Sequence, residues 1–328
     1  MKALVTGATG FIGSHIADKL SSEGFEVRCM VRNPNNIKWL KNKGYEIVEG
    51  NFENKENLKI AVEGVDYIFH VAGLNFAKNK KDFQIVNTLG TQMLLNAAYD
   101  YNPGLKRFVY MGSQTATGPS PDFEHPVDEE SPRNPITSYG LSKKLAEDEV
   151  MAFKGKIPYT IIKPPAVFGP RDTAIYGLFK MMYFGFAAHM GMSKKYISLI
   201  FVDDLVKGTV QAALCPVAVD NTYFLTNDKF YDWDYISDVF KAQMNKSFYF
   251  KVKVPEPVVR AVGISSEFLF GLFGVHPKFD KDKSKDFICQ YWTCKADKAK
   301  RDFGFKQNYT FNEAVKLTFD WYKENKWL

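Results

Sequence analysis

Residues 2–14 read KALVTGATGFIGS. The run 2–6 is short and apolar and reads as a buried strand. From Phe11 to about residue 23 the apolar positions recur at helical spacing. Between the two lie Gly7, Gly10 and Gly13, spaced GxxGxxG. Gly7 permits a tight turn out of the strand. Gly10 lets the backbone approach a pyrophosphate, and Gly13 lets the helix pack closely on the strand. The helix N-terminus then offers N–H donors and a partial positive charge to an anion. Strand, glycine turn and helix in that order predict the first unit of a dinucleotide-binding sheet.

Outward from this unit, strands are expected at 2–6, 26–31, 45–48, 66–71, 107–112 and 159–163. Helices are expected at 11–23, 54–62, 84–99 and 138–153. This βαβ rhythm predicts an α/β fold, a Rossmann-type doubly wound parallel sheet. Residues 114–137 hold five prolines and read as a long functional loop. After Pro164 the rhythm breaks. Residues 170–200 are rich in aromatic residues and Met, a helix near 203–214 and a strand near 222–226 return to the first pattern, and 229–288 read as helical. Residues 295–328 read as two helices folded back on the main body. The expected division is a dinucleotide-binding domain of residues 1–168, with 201–228 and 291–328 packing back on it. A smaller, mostly helical substrate-binding lobe is built from insertions at 169–200 and 229–290.

Hydrophobic residues make up 45% of 328, enough to bury a sizeable core. A net charge of +6 without a dense Lys/Arg block argues against a nucleic-acid binder and suits an anionic small ligand. The cysteines (Cys29, Cys215, Cys289, Cys294) and the five histidines show no metal-binding spacing, so no metal site is expected. The chain begins directly on a strand-like run, and a cytoplasmic location with reduced thiols is expected. The apolar stretch 258–275 is broken by Arg260 and Glu267, too short a run to span a bilayer. It reads as a pocket or lobe helix rather than an interfacial one.

With TGATGFIG followed by Ser14 and His15, the sequence resembles the extended short-chain dehydrogenases/reductases, the NAD-dependent epimerase/dehydratase superfamily. HVAG at 70–73, NTLGT at 87–91, YxxxK at 139–143, KPPAVFGP at 163–170 and FVDDL at 201–205 extend the resemblance over nearly the whole chain. It implies a nicotinamide cofactor along Gly7, Thr9, Gly10, Phe11, Ile12, Gly13, Arg32, Lys38, Asn51, Phe52, Ala72, Gly73, Asn87, Tyr139, Lys143, Pro164 and Val167. An acidic residue commonly ends the second strand of NAD-preferring sites. Here Val31 holds that place and Arg32 follows, a guanidinium that matches a 2′-phosphate. VRCMVRNP resembles the same run of the NADPH-using dihydroflavonol reductases, so NADP is expected, with NAD as the alternative. Lys38 would add a second cation. Asn51 stands where the family commonly has Asp.

Tyr139 and Lys143, four apart, share one face of the helix expected at 138–153. An ammonium beside a phenol favours the phenolate and is expected to lower its pKa, so that Tyr139 exchanges a proton with a carbinol oxygen. Ser113 ends FVYMGS at the family's Ser/Thr position, where its hydroxyl would polarise the substrate oxygen. The catalytic candidates are therefore Ser113, Tyr139 and Lys143. Gln114 and Thr115 replace the Asp and Glu of sugar-nucleotide dehydratases, which argues against water elimination. Asp203 reads as structural.

Nucleotide-sugar epimerases often carry an Arg where this chain has Ile197. Residues 178–192, LFKMMYFGFAAHMGM, suit an apolar substrate, with about half of them expected to be core. Lys194 and Lys195 read as a solvated pair, with a hold on an anionic group as the alternative. The tail YWTCKADKAKRDFGF, 291–305, resembles the dihydroflavonol reductase and 3β-hydroxysteroid dehydrogenase branch. The expected function is hydride transfer between a nicotinamide cofactor and an apolar ketone or secondary alcohol. The alternatives are an NAD-dependent nucleotide-sugar epimerase and a non-catalytic NADP(H)-binding sensor. The expected partner is a small apolar molecule, with neither nucleic acid nor a transmembrane segment, and a homodimer is left open.

Overall fold

The computed structural model describes residues 1–77, 79–271 and 279–328. Seven strands, all paired in parallel, form the central sheet. They are β1 (Lys2–Thr6), β2 (Glu26–Val31), β3 (Glu46–Glu49), β4 (Tyr67–His70), β5 (Arg107–Met111), β6 (Tyr159–Lys163) and, later in the chain, β11 (Asn221–Phe224). Their order is β11-β6-β5-β4-β1-β2-β3. The direction of winding reverses between β1 and β4, and the carboxyl ends of strands at such a switch open a ligand crevice. Both faces of the sheet are covered, so its strands read as nearly continuous apolar runs rather than alternating ones.

On one face lie α1 (Phe11–Ser22) and α7 (Val202–Leu214), packed on Ala3, Val5, Val27, Val109 and Ile162. On the other lie α2 (Lys55–Val62), α4 (Gly90–Tyr101) and α5 (Ser138–Met151), around Leu4, Ile68, Phe108, Tyr110 and Ile161. The single helix expected at 84–99 is composite. A turn of α3 (Lys80–Phe83) runs into a π-helical segment, Gln84–Leu89, and then into α4. Within it the Thr91 hydroxyl donates to the Asn87 carbonyl, the acceptor an α-helix would offer to the Thr91 amide.

The remaining elements are β7 (Ala166–Phe168), α6 (Tyr176–Tyr183), β8 (Phe186–Met190), β9 (Tyr196–Ile197), β10 (Leu199–Phe201), β12 (Tyr231–Asp232), α8 (Trp233–Gln243), β13 (Phe250–Val254), α9 (Glu256–Gly271), α10 (Lys281–Ile288), β14 (Tyr291–Trp292), α11 (Asp297–Phe303) and α12 (Phe311–Glu324). The stretch 229–288, expected to be helical, contains the strand β13, which pairs in parallel with β8. Its sequence shows why. In FYFKVKV, Phe248, Phe250, Val252 and Val254 alternate with Tyr249, Lys251 and Lys253, the period of a strand rather than a helix. The proline-rich loop 114–137 is tied down by the tail: Val127 bridges to Cys294, and Ser120 bonds Thr293 at 2.7 Å. All four cysteines are free.

Candidate active site

Gly7 leaves β1 with φ of +72°, and a Cβ there would stand 2.6 Å from the Ala72 amide nitrogen. A Cβ on Gly13 would stand 2.3 Å from the Gly7 carbonyl oxygen, so helix and turn touch backbone to backbone. Gly10 caps α1 without a side-chain hydrogen bond, and the first turn carries no acidic residue. Its own Cβ would meet only the Gly7 oxygen, at 3.2 Å, and otherwise face open space. This is a backbone cradle at a positive helix end, and it fits the pyrophosphate of a dinucleotide.

The cradle forms one end of a cavity of about 1160 Å³. Of the residues expected to hold the cofactor, Gly7, Thr9, Gly10, Phe11, Ile12, Gly13, Arg32, Asn51, Phe52, Ala72, Gly73, Tyr139, Lys143, Pro164 and Val167 all line it. Two do not. Lys38 lies with its ammonium 4.4 Å from the centre of the Trp39 ring and 6.0 Å from that of Trp327. Asn87 is buried and fully engaged: its Oδ1 accepts from the Leu74 amide (2.7 Å), and its Nδ2 donates to the Leu74 carbonyl (3.0 Å) and the Ser142 hydroxyl (2.9 Å). It fastens the composite helix to α5. Asn51 lines the cavity but spends its Oδ1 on the amides of Glu53 and Asn54. Arg32 is exposed and has no hydrogen-bond or ion-pair partner among the described residues.

Ser113, Tyr139 and Lys143 all line the same cavity, and the Tyr139 and Ser113 hydroxyls interact. Thr137 caps α5 through the Gly140 amide, which places Tyr139 in the first turn and Lys143 one turn on. The expected lowering of the Tyr139 pKa is reversed. Burial pushes the phenol up to about 12, with a pull back from the Ser113 hydroxyl. Lys143 donates to the Met111 carbonyl at 2.6 Å and sits 4.4 Å from the centre of the Tyr110 ring. Burial brings its ammonium down to about 8, against an upward pull from Glu147. The sequence argument had placed the two groups on one face but had not weighed what burying both of them does.

Several residues that sequence reasoning passed over complete the site. Glu147 continues the Tyr139–Lys143 face by another four residues, and its Oε2 meets the Lys163 ammonium at 3.1 Å, both side chains almost wholly buried. Arg133 approaches the same oxygen at 3.7 Å. Spacing along α5 could have shown Glu147, but its partner comes from β6. Asp282 of α10 accepts from the Ser138 amide at 2.6 Å, so the C-terminal part holds the start of α5. Asp204, not the exposed Asp203, is the structural acid of FVDDL: it accepts from Asn308 at 2.8 and 2.7 Å. His70 is fully buried between the Thr6 and Thr91 hydroxyls and brought down to about 3 by burial, which keeps its imidazole neutral.

The cavity is also lined by Leu178, Phe179, Met181, Ala188, Trp233, Ile236, Phe240 and Phe287, together with the charged Asp172, Lys195, Lys283 and Asp286. Of the stretch 178–192, Phe179, Met182 and Ala187 also belong to the core, while Phe184, Phe186 and Met192 are exposed. Ile197 lines the cavity as an apolar wall. Lys194 is exposed and pairs with Asp232 at 3.6 Å. Lys195 is not the solvated residue its sequence suggests. It is buried, donates to the Ile288 carbonyl and pairs with Glu256 at 3.3 Å. The described residues of α9 up to Glu267 line no part of the cavity, which leaves the lobe-helix reading for that segment; residues 272–275 lie outside the described residues.

Residues 3–224 match the NAD dependent epimerase/dehydratase family. The chain belongs to that family. It is thus built as a nicotinamide-dependent oxidoreductase of a superfamily in which reductases and epimerases both occur. A ceramide reductase of Caulobacter vibrioides is 26% identical over 99% of this chain and 95% of that protein. A crystal structure of gox2253 superposes with a TM-score of 0.82 at 25% identity, covering 98% of both chains. The UDP-glucose 4-epimerase of Thermotoga maritima, solved with UDP-glucose, superposes with a TM-score of 0.79 at 21% identity over 99% of this chain and all of that one, a likeness of fold alone. Among the described residues no helix is long and apolar enough to cross a membrane.

Proposed function

We propose that this protein is an NADP-dependent reductase of apolar ketones, acting on the C=O / CH–OH couple. The observation that carries the reading is the single cavity shared by the glycine cradle, the Ser113–Tyr139–Lys143 group and a wall of Leu178, Phe179, Met181, Ile197 and Phe240. Gly7 to Gly13 would hold the pyrophosphate, Arg32 the 2′-phosphate, and Lys143 the nicotinamide ribose. The nicotinamide, when bound, supplies the hydride. Tyr139 would exchange a proton with the substrate oxygen, donating it to the carbonyl when the couple runs towards the alcohol. Ser113 orients that oxygen through its hydroxyl.

The apolar wall favours a hydrophobic substrate, because each buried CH₂ is worth ~0.8 kcal/mol. A diphosphate instead needs fixed cations and donors. Ile197 offers neither, and Lys195 is engaged by Glu256 and a backbone carbonyl. The similarity to a ceramide reductase over nearly the full chain supports a lipid-like ketone. The division into a dinucleotide-binding domain (1–168 with 201–228 and 291–328) and a substrate lobe (169–200 and 229–290) is part of the same proposal. The test is a panel of apolar ketones of polyketide, flavonoid-like, steroid-like and acyl-chain size, followed by NADPH absorbance, with calorimetry of UDP- and dTDP-sugars alongside. Turnover of an apolar ketone supports the reading. Micromolar binding of a sugar nucleotide with no ketone turnover would overturn the reading and favour the epimerase alternative.

A further inference from the structure

Two largely buried acids line the cavity, Asp172 and Asp286. Asp172 is satisfied inside the protein: its two carboxylate oxygens accept from the amides of Ala174 at 2.8 Å and Ile175 at 2.9 Å. Asp286 is satisfied only by half. Its Oδ2 accepts from the Lys283 ammonium at 2.8 Å. Its Oδ1 is buried and has no hydrogen-bond partner among the described residues. The whole side chain is 12% exposed. A carboxylate oxygen withdrawn from water without a donor keeps its desolvation cost, and it gains from any N–H or O–H brought to it.

The fold holds this acid close to Tyr139. Two bonds tie α10 to the start of α5: Asp282 accepts from the Ser138 amide at 2.6 Å, and the Lys285 ammonium donates to the Ile136 carbonyl at 3.2 Å. Ser138 directly precedes Tyr139. Asp286 follows Asp282 by four residues, so the two side chains share one face of α10. The Trp292 Nε1 donates to the Asp286 carbonyl at 2.9 Å and fixes the backbone of that turn. The carboxylate is near enough to act on the phenol: burial first, and then the charges of Asp286 and Glu147, push Tyr139 up to about 12. Phe287 and Trp292 line the cavity as well, so the acid is set among apolar side chains. The donor that suits Oδ1 is neutral. Lys283 already balances the carboxylate, and a second cation would meet its ammonium. A hydroxyl or an amide N–H meets no such repulsion.

We propose that Asp286 is a specificity-determining residue that selects a ketone carrying a neutral donor, a hydroxyl or an amide N–H, close to the reacting carbonyl. The inference rests on the reading of the site as a ketone reductase and narrows its substrate class, from any apolar ketone to one with a donor beside the carbonyl. Tyr139 meets the carbonyl oxygen and Asp286 the neighbouring donor, and the two together orient the carbonyl.

The experiment compares matched aliphatic ketones of one chain length, each assayed with NADPH: the bare ketone, the analogue with a hydroxyl on the carbon next to the carbonyl, and the analogue with an acetamido group there. The wild-type chain is expected to favour a donor-bearing analogue in kcat/KM by about ten- to a hundredfold, the worth of one hydrogen bond to a charged group. The analogue favoured more identifies the donor. Asp286→Ala should bring the ratio close to one. Should that variant melt early, Asp286→Asn, which keeps the shape and removes the charge, should lower the ratio about fivefold. Calorimetry of the matching diol and plain alcohol with the NADP⁺-loaded protein reads the same preference without turnover. If no ketone turns over while the diol still binds more tightly than the alcohol, and Asp286→Ala abolishes that difference, the reductase reading fails and the donor preference of Asp286 holds. Equal kcat/KM across the matched ketones, equal binding of diol and alcohol, or a preference that survives Asp286→Ala overturns the proposal. So does a shifted pH profile in Asp286→Asn with the preference intact, which would make Asp286 a neighbour that only tunes Tyr139.

Discussion

Glu147→Leu tests how the buried charges beneath the candidate site work. The Glu147 carboxylate and the Lys163 ammonium meet at 3.1 Å with side-chain exposures of 2% and 3%. Removing the acid strands Lys163 in a dry interior beside the Phe224 ring. Breaking such a pair costs ~3–5 kcal/mol, because the surviving charge keeps its desolvation penalty. Replacing both partners, Glu147→Leu with Lys163→Met, should restore most of that loss, since an apolar pair of similar volume is often as stable. A second effect reaches the active group. Four residues of helix rise ~6 Å, and a unit charge at that distance is worth ~2.8 kcal/mol at an effective dielectric of ~20. Lys163 cancels part of this, so Glu147→Gln should bring the Lys143 ammonium down from about 8 by about one further unit. Urea unfolding followed by tryptophan fluorescence reads the first effect. The pH dependence of NADPH binding reads the second, with its alkaline limb near pH 8 moving towards 7. A Glu147→Leu cost below ~1 kcal/mol, or a limb that stays in place in Glu147→Gln, would refute the argument.

Three further outcomes follow from the same geometry. Tyr139→Phe should cut turnover by orders of magnitude while leaving NADPH affinity nearly intact, because only the proton donor is lost; stopped-flow and equilibrium binding separate the two, and unchanged turnover would remove Tyr139 from the reaction. Arg32→Ala should weaken NADPH by ~1–3 kcal/mol and NADH little, as measured by calorimetry; equal losses would make Arg32 an adenine contact. Asp172 is pushed up from 3.8 to about 6 by burial. The native state therefore keeps a proton that the unfolded chain releases, and stability falls as pH rises from about 4 to about 6, by up to ~3 kcal/mol. Asp172→Asn should flatten that slope in urea melts taken across the range.

All seven sheet strands and the glycine turn were legible in the sequence within a residue or two, because strand burial and glycine stereochemistry are local demands that the chain states locally. The period-two run at 248–254 states a strand as plainly, although it lies in a stretch whose composition reads as helical. The Tyr139–Lys143 spacing and the apolar residue at Ile197 were likewise written in order along the chain. Other features existed only once distant segments met. Lys195 becomes a buried tether because Glu256 and the end of α10 close over it. Glu147 and Lys163 sit on a helix and a strand that pack only in the folded body. The rise of the Tyr139 phenol and the fall of the Lys143 ammonium come from desolvation, which depends on every segment that excludes water from the site. Periodicity and stereochemistry are properties of neighbours in sequence and fixed the scaffold and the chemical types; burial and charge balance are properties of neighbours in space, and only the tertiary structure decided them.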